Sequence, residues 1–211
     1  MRYLVAAVAL SLCVAIVSAS PMPQPPPPVD LSKVYINGVT YAGSGCPANS
    51  VAISKSDNWA EITLAFDQYV ASIGPGIPIT QNRKNCNLNI NLHYPEGLQF
   101  AVYETDYTGF AQLESKVRAT HQSDYWFAGF ANQKATLRST WVGPFTNTYS
   151  FTDTLTHEAT VFSPCGASTT LNINTQLYLD NSQNHQGSGQ ITTETIDHKV
   201  TTTLGLEWTP C

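Results

Sequence analysis

Apolar and polar residues alternate along much of this chain with a period of two. In Leu88-Asn89-Ile90-Asn91-Leu92 the leucines and isoleucine share one face, while Asn87, Asn89, Asn91 and His93 share the other. This is the pattern of a strand that covers a core on one side only, because successive side chains of an extended backbone point to opposite faces. Leu171-Asn172-Ile173-Asn174-Thr175-Gln176-Leu177-Tyr178-Leu179 repeats the alternation and four of its letters. We read two strands under the same constraint rather than an internal duplication. Segments 61–71, 98–107, 116–121, 125–128, 135–142, 149–156, 190–195 and 200–208 are further strand candidates, rich in Thr, Val, Ile and aromatics. Turn residues fall between them at Asn58, Gly74-Pro75-Gly76, Pro95-Glu96-Gly97, Gly143-Pro144, Ser163-Pro164 and Gly187-Ser188-Gly189. About ten strands punctuated in this way predict an all-β fold, an antiparallel β-sandwich. Segment 59–72 also matches a helical stripe at Ile62, Phe66, Tyr69 and Ile73. Its β-branched and aromatic content, with Gly74 and Pro75 beyond it, favours one long strand.

Residues 1–19 read as an export signal: Arg2 supplies the positive region, 3–17 the apolar stretch, and Val17-Ser18-Ala19 the small residues before cleavage. Cleavage after Ala19 removes Cys13 and leaves Cys46, Cys86, Cys165 and Cys211. An even thiol count in an oxidising lumen predicts two disulfides and a secreted, extracellular product. Three pairings are open. Cys46 with Cys86 and Cys165 with Cys211 is favoured, since the second bridge ties the final residue to the body. Each bridge would contribute roughly 4 kcal/mol by loop closure, and crossed pairings only a few tenths of a kcal/mol more, so energy alone does not decide. Residues 20–32 carry Pro21-Met22-Pro23-Gln24-Pro25-Pro26-Pro27-Pro28, biased to extended polyproline conformation and read as a spacer. A single domain is expected over 33–211, about the size that builds a core by burial, with disulfides as an addition.

Charged residues make up 12% of the chain, about half the globular average, so the surface is neutral and rich in hydroxyls and amides. Without Arg2 the balance is nine cationic against fifteen acidic residues. That excess disfavours nucleic acid or anionic lipid as a partner. No second apolar run approaches the roughly twenty residues of a membrane span. No Asn-x-Ser/Thr triplet occurs, so no N-glycan is expected to cover any face.

Searches for catalytic signatures return little. Gly43-Ser44-Gly45 and Gly187-Ser188-Gly189 have the wrong spacing for a nucleophile elbow. His157-Glu158 lacks a second histidine four residues on, and His93, His121, His185 and His198 are scattered, so neither a metal site nor a cofactor is expected. The segment 180–185 carries one carboxylate and no calcium-loop pattern. Glu104 and Asp106 share a strand face, and a sandwich could bring Asp67, Glu114 or Glu158 opposite them for glycoside hydrolysis. Solvated carboxylates are the plainer account, and the expectation is a protein without enzymatic activity.

Two binding surfaces remain. The polar faces with Asn87, Asn89, Asn91, Asn172 and Asn174 offer paired donors and acceptors, and Tyr103, Tyr107 or Trp126 could stack on sugar rings. A hydrated outer face explains the same residues. The second surface is Ile73-Gly74-Pro75-Gly76-Ile77-Pro78-Ile79-Thr80, an apolar loop with two prolines running toward Cys86. Presented with little freedom left to lose, Ile77, Pro78, Ile79 and Thr80 would suit recognition of a protein. The alternative is that Ile77 and Ile79 plug one end of the sandwich.

Gly43-Ser44-Gly45-Cys46-Pro47, the segment 66–76, Asn82-Arg83-Lys84-Asn85-Cys86-Asn87-Leu88-Asn89-Ile90, Ser163-Pro164-Cys165-Gly166 and Trp208-Thr209-Pro210-Cys211 resemble a secreted family catalogued as domain of unknown function 4360. The resemblance spans about 35–211 and implies a secreted, often fungal, β-rich protein; it supplies no catalytic residue. It also implies candidates for host-directed, virulence-related effectors. On that analogy the expected partner is an extracellular protein, specifically a papain-like cysteine protease that the chain would inhibit. A cell-wall polysaccharide is the alternative partner.

Overall fold

In a computed structural model, which describes residues 29–211 apart from 157–159, 193 and 196–197, the alternating pattern becomes thirteen strands. They are β1 (Tyr35–Ala42), β2 (Val51–Lys55), β3 (Glu61–Phe66), β4 (Val70–Ile73), β5 (Arg83–Tyr94), β6 (Leu98–Leu113), β7 (Arg118–Phe127), β8 (Ala135–Val142), β9 (Phe145–Thr154), β10 (Ala167–Asp180), β11 (Gly189–Thr192), β12 (Glu194–Thr195) and β13 (His198–Pro210). The export signal and the prolines up to Pro28 lie outside the described residues, as does His157-Glu158.

Two antiparallel sheets pack face to face. One has five strands in the order β1-β5-β10-β7-β8; the other has eight, ordered β2-β3-β13-β6-β11-β4, with β9 on β6 and β12 on β13. Leu88, Ile90 and Leu92 of β5 are fully buried, as are Leu171, Ile173, Leu177 and Leu179 of β10. These side chains meet those of the eight-stranded sheet, notably Ile62, Leu64, Phe66, Phe100 and Leu204. Rings bridge the layers: Phe100 on β6 meets Phe127 on β7 edge-on at 5.1 Å, and Tyr107 meets His121 at 4.0 Å. Burying rings of this size is the largest apolar gain the interior offers.

Five differences from the sequence reading change the set of strands. Segment 61–71 is neither a helix nor one strand, because the chain bends at Asp67 and Gln68 between β3 and β4. The bend turns Tyr69 inward, fully buried beside Phe66 and edge-on to His121. Segments 116–121 and 125–128 are joined in the single strand β7, whose neighbours β10 and β8 pair it across the polar residues 122–124. β1 carries a register shift between Ile36 and Gly38 that breaks its alternation, and β2 is a five-residue strand at the sheet's end. Segment 190–195 is divided between β11, paired with β4 and β6, and β12, paired with β13. The described residues therefore hold thirteen strands rather than about ten, a number that came from pattern spacing alone.

Disulfides join Cys46 to Cys86 and Cys165 to Cys211, closing separations of 40 and 46 residues. The first fastens the loop after β1 onto β5. Its approach is close: a Cβ on Gly43 would lie 2.2 Å from the Asn85 carbonyl oxygen. The second fastens the end of β13, where the Cys211 amide also donates to the Gly97 carbonyl at 2.9 Å.

His121 is buried between the sheets, shares a hydrogen bond of 3.0 Å with Thr175 Oγ1, and has no partner on Nδ1 among the described residues. Burial holds its imidazole neutral, with a pKa lowered to about 3. The unfolded imidazole, near 6.5, takes up a proton that the folded one refuses, so this contribution to stability is complete above 6.5 and is lost as pH falls toward 3. The urea midpoint should therefore decline across that window with a slope worth about 1 kcal/mol per pH unit. His121→Gln should flatten the slope, measured by denaturation at a series of pH values.

Candidate functional site

The loop between β4 and β5 stands out from the end of the sandwich. Ile77 is 44% exposed and Ile79 is 74% exposed, with Pro75, Gly76, Pro78 and Thr80 also on the surface. The loop has its own order. The Ile77 amide donates to the Gly74 carbonyl at 3.1 Å, and a 3-10 turn over Ile79–Gln81 follows, closed by Gln81 and Asn82 amides on the Pro78 and Ile79 carbonyls. Gly76 has φ 79°, a backbone region in which side chains are strained, so the Pro-Gly pair fixes the turn. Beyond it the Asn82 carbonyl accepts from the Leu179 amide, and Cys86 of the Cys46–Cys86 bridge is the fourth residue of β5. Ile73, Pro75 and Ile77 also form the apolar wall of a shallow depression of about 370 Å³; Gln112, Gln190 and Ser72 line it on the sheet side. The register pairs Gln190 with both Gln112 and Ser72.

Three of the five outward asparagines are tied rather than free, while Asn174 Oδ1 is buried without a partner among the described residues. Asn91 donates to Thr170 Oγ1 at 3.1 Å and accepts from Asn37 at 2.9 Å; Asn89 donates to Thr40 Oγ1; Asn172 donates to the Trp126 carbonyl. They are cross-strand ties on the outer face of the five-stranded sheet. The three aromatic residues considered as sugar platforms do not gather there. Tyr107 is buried in the core, Tyr103 lies on the other sheet, and only Trp126 shares the asparagine face. Strand parity explains Tyr107: it alternates inward with Thr105 and Ala111.

The carboxylates spread along the eight-stranded sheet. Asp106 accepts from Thr152 Oγ1, while Glu104 and Glu61 flank Gly205 on either side. Glu114 lies ten residues further along β6, roughly 33 Å at 3.3 Å per residue, where it accepts from the Ser188 amide at 2.9 Å. Asp67 lies past the end of β3, four residues beyond Thr63, which β13 sets two strands from Asp106; that is roughly 16 Å between backbones, beyond the ~5–9.5 Å reach of a glycosidase pair. Burial, then the negative charges of Glu104, Glu61, Asp106 and Glu207, raises the Tyr103 phenol. No group of three metal-ligating side chains occurs among the described residues.

Sequence reasoning passed over a groove of about 170 Å³ on the five-stranded sheet, lined by Arg83, Thr120, Gln122, Arg138, Gln176 and Tyr178. The available signal was parity: Gln176 and Tyr178 share the outward phase of Asn172 and Asn174.

Residues 32–211 match the profile of the family described as Domain of unknown function (DUF4360). A protein of Arthroderma benhamiae named "Uncharacterized secreted protein" is 44% identical over 182 residues, covering 86% of this chain and 74% of that protein. Among solved structures, TmCBM61 in complex with beta-1,4-galactotriose aligns over 82% of this chain and 89% of its own, at 7% identity and TM-score 0.28. The enzymatically active domain of bacteriophage CBA120 tailspike protein 4 aligns over 77% and 20%, at 10% identity and TM-score 0.17. Scores this low carry no argument about fold or ligand.

Since Ile77 and Ile79 are exposed, Ile77→Asp and Ile79→Asp should each move the urea midpoint by the equivalent of less than about 0.5 kcal/mol. Gly45→Ala, whose Cβ would lie 2.2 Å from the Tyr69 ring, should cost about 1–3 kcal/mol by overpacking. Tryptophan fluorescence under denaturant reads both.

Proposed function

We propose that this chain, which belongs to the DUF4360 family, acts without catalysis by binding an extracellular protein through the loop Ile77-Pro78-Ile79-Thr80. The protein is secreted and extracellular, in keeping with its secreted relative and its two disulfides. The observation that carries the reading is a pair of exposed isoleucines on a hydrogen-bonded loop anchored near a disulfide. Apolar side chains in that setting gain burial on contact while the backbone has little entropy left to lose. The adjoining depression gives a partner side chain somewhere to seat.

Inhibition of a secreted papain-like cysteine protease by a host-directed effector is the specific form to test first. Titrating the purified protein against such a protease should lower turnover at near-stoichiometric amounts, and Ile77→Asp/Ile79→Asp should weaken inhibition at least tenfold with unchanged melting. Unimpaired turnover in excess protein removes the protease as partner. Parallel pull-downs from extracellular fluid test the broader claim: if the wild type and the doubly substituted protein retain the same proteins, the loop is not the contact.

A further inference from the structure

The charges of this acidic chain are sorted by sheet. Beyond Arg2 the sequence has three arginines, Arg83, Arg118 and Arg138, and the register puts all three on the outward side of the five-stranded sheet. The eight-stranded sheet turns Glu61, Glu104, Asp106 and Glu207 outward around Tyr103. The chain's net charge of −5 therefore conceals a cationic face, and charge on a flat surface acts locally because salt screens it beyond roughly 8–10 Å.

Within that face the arginines are not equivalent. Arg118 lies opposite Asp180, whose carboxyl it helps hold below the usual range after the Ser182 hydrogen bonds. Arg83 and Arg138 are exposed and without an ion-pair partner among the described residues, Arg83 donating only to the neutral Gln176 Oε1. The remaining carboxylate on the face, Asp124, is occupied in accepting from Thr136 Oγ1 at 2.8 Å and Gln122 Nε2 at 3.2 Å. Arg83 and Arg138 close the two ends of the groove whose floor is Gln176 and Gln122. With β10 and β7 between them and an offset of two residues along the strands, their backbones stand about 16 Å apart at the ordinary strand geometry, with long side chains able to lean inward.

We infer that this groove binds an acidic polysaccharide of the polyuronate class, the arginines taking carboxylates and the amides between them taking ring hydroxyls. A guanidinium matches a carboxylate in two parallel hydrogen bonds. Tyr178, 39% exposed beside Arg83, adds a ring face of the kind that stacks on sugars. An acidic peptide would be expected to add to a sheet edge, whereas β10 and β7 are paired on both sides. A nucleic acid would meet a chain that repels it overall and only a few cations to neutralise its phosphates.

The test is affinity electrophoresis of the purified protein through gels containing polygalacturonate, fully methyl-esterified polygalacturonate, poly-glutamate or single-stranded DNA. Retardation by polygalacturonate alone, weakened at least tenfold in Arg83→Gln/Arg138→Gln with an unchanged melting temperature, supports the inference. Lys116→Gln, a cation in the turn before β7, should bind as the wild type does. Equal retardation by the methyl ester, by poly-glutamate or by DNA overturns it, as does no retardation or retardation indifferent to the double substitution.

Discussion

The rings where β6 crosses β7 set the separation of the two sheets, and the rest of the molecule is arranged around that spacing. Phe100 against Phe127 and Tyr107 against His121 fill the gap from both sides. Once it is filled, no strand can slip by one residue without carrying its apolar set to the solvent. Register is thereby fixed over the long β5–β10 and β10–β7 ladders. Every outward feature, from the asparagine ties to the arginines, holds its place because the inward side chains leave it no other.

How much of this was legible depends on where the constraint is local. β5 and β10 were readable because one face is buried and the other wet, which writes a period of two into the residues themselves. β8 was readable for the same reason. β1 was not, since its bulge between Ile36 and Gly38 puts the alternation out of phase; nor was the bend at Asp67, which is set by the burial of Tyr69 against residues far along the chain. The site follows the same rule. The apolar loop announced itself by composition within eight residues, whereas Arg83, Gln176, Gln122 and Arg138 belong to four strands and meet only once β10 is laid between β5 and β7. A linear reading has no access to such a gathering.

The family match and the secreted relative establish what kind of protein this is without saying what it touches. The architecture narrows that question by dividing the surface. An end of the sandwich presents isoleucines, the outer side of the smaller sheet presents cations and amides, and the outer side of the larger sheet presents carboxylates. These suit ligands of different chemistry, and the isoleucine loop leads directly into Arg83 at one end of the cationic groove.

The bulge in β1 has a bearing on how the protein behaves in bulk. β1 is a border of the five-stranded sheet, with β5 on one side and solvent on the other. An even row of free amides and carbonyls at such a border invites a neighbouring molecule to continue the sheet, and fibrils grow in that way. The offset between Ile36 and Gly38 interrupts the row and twists what remains. The offset thus works against one copy templating another along this border.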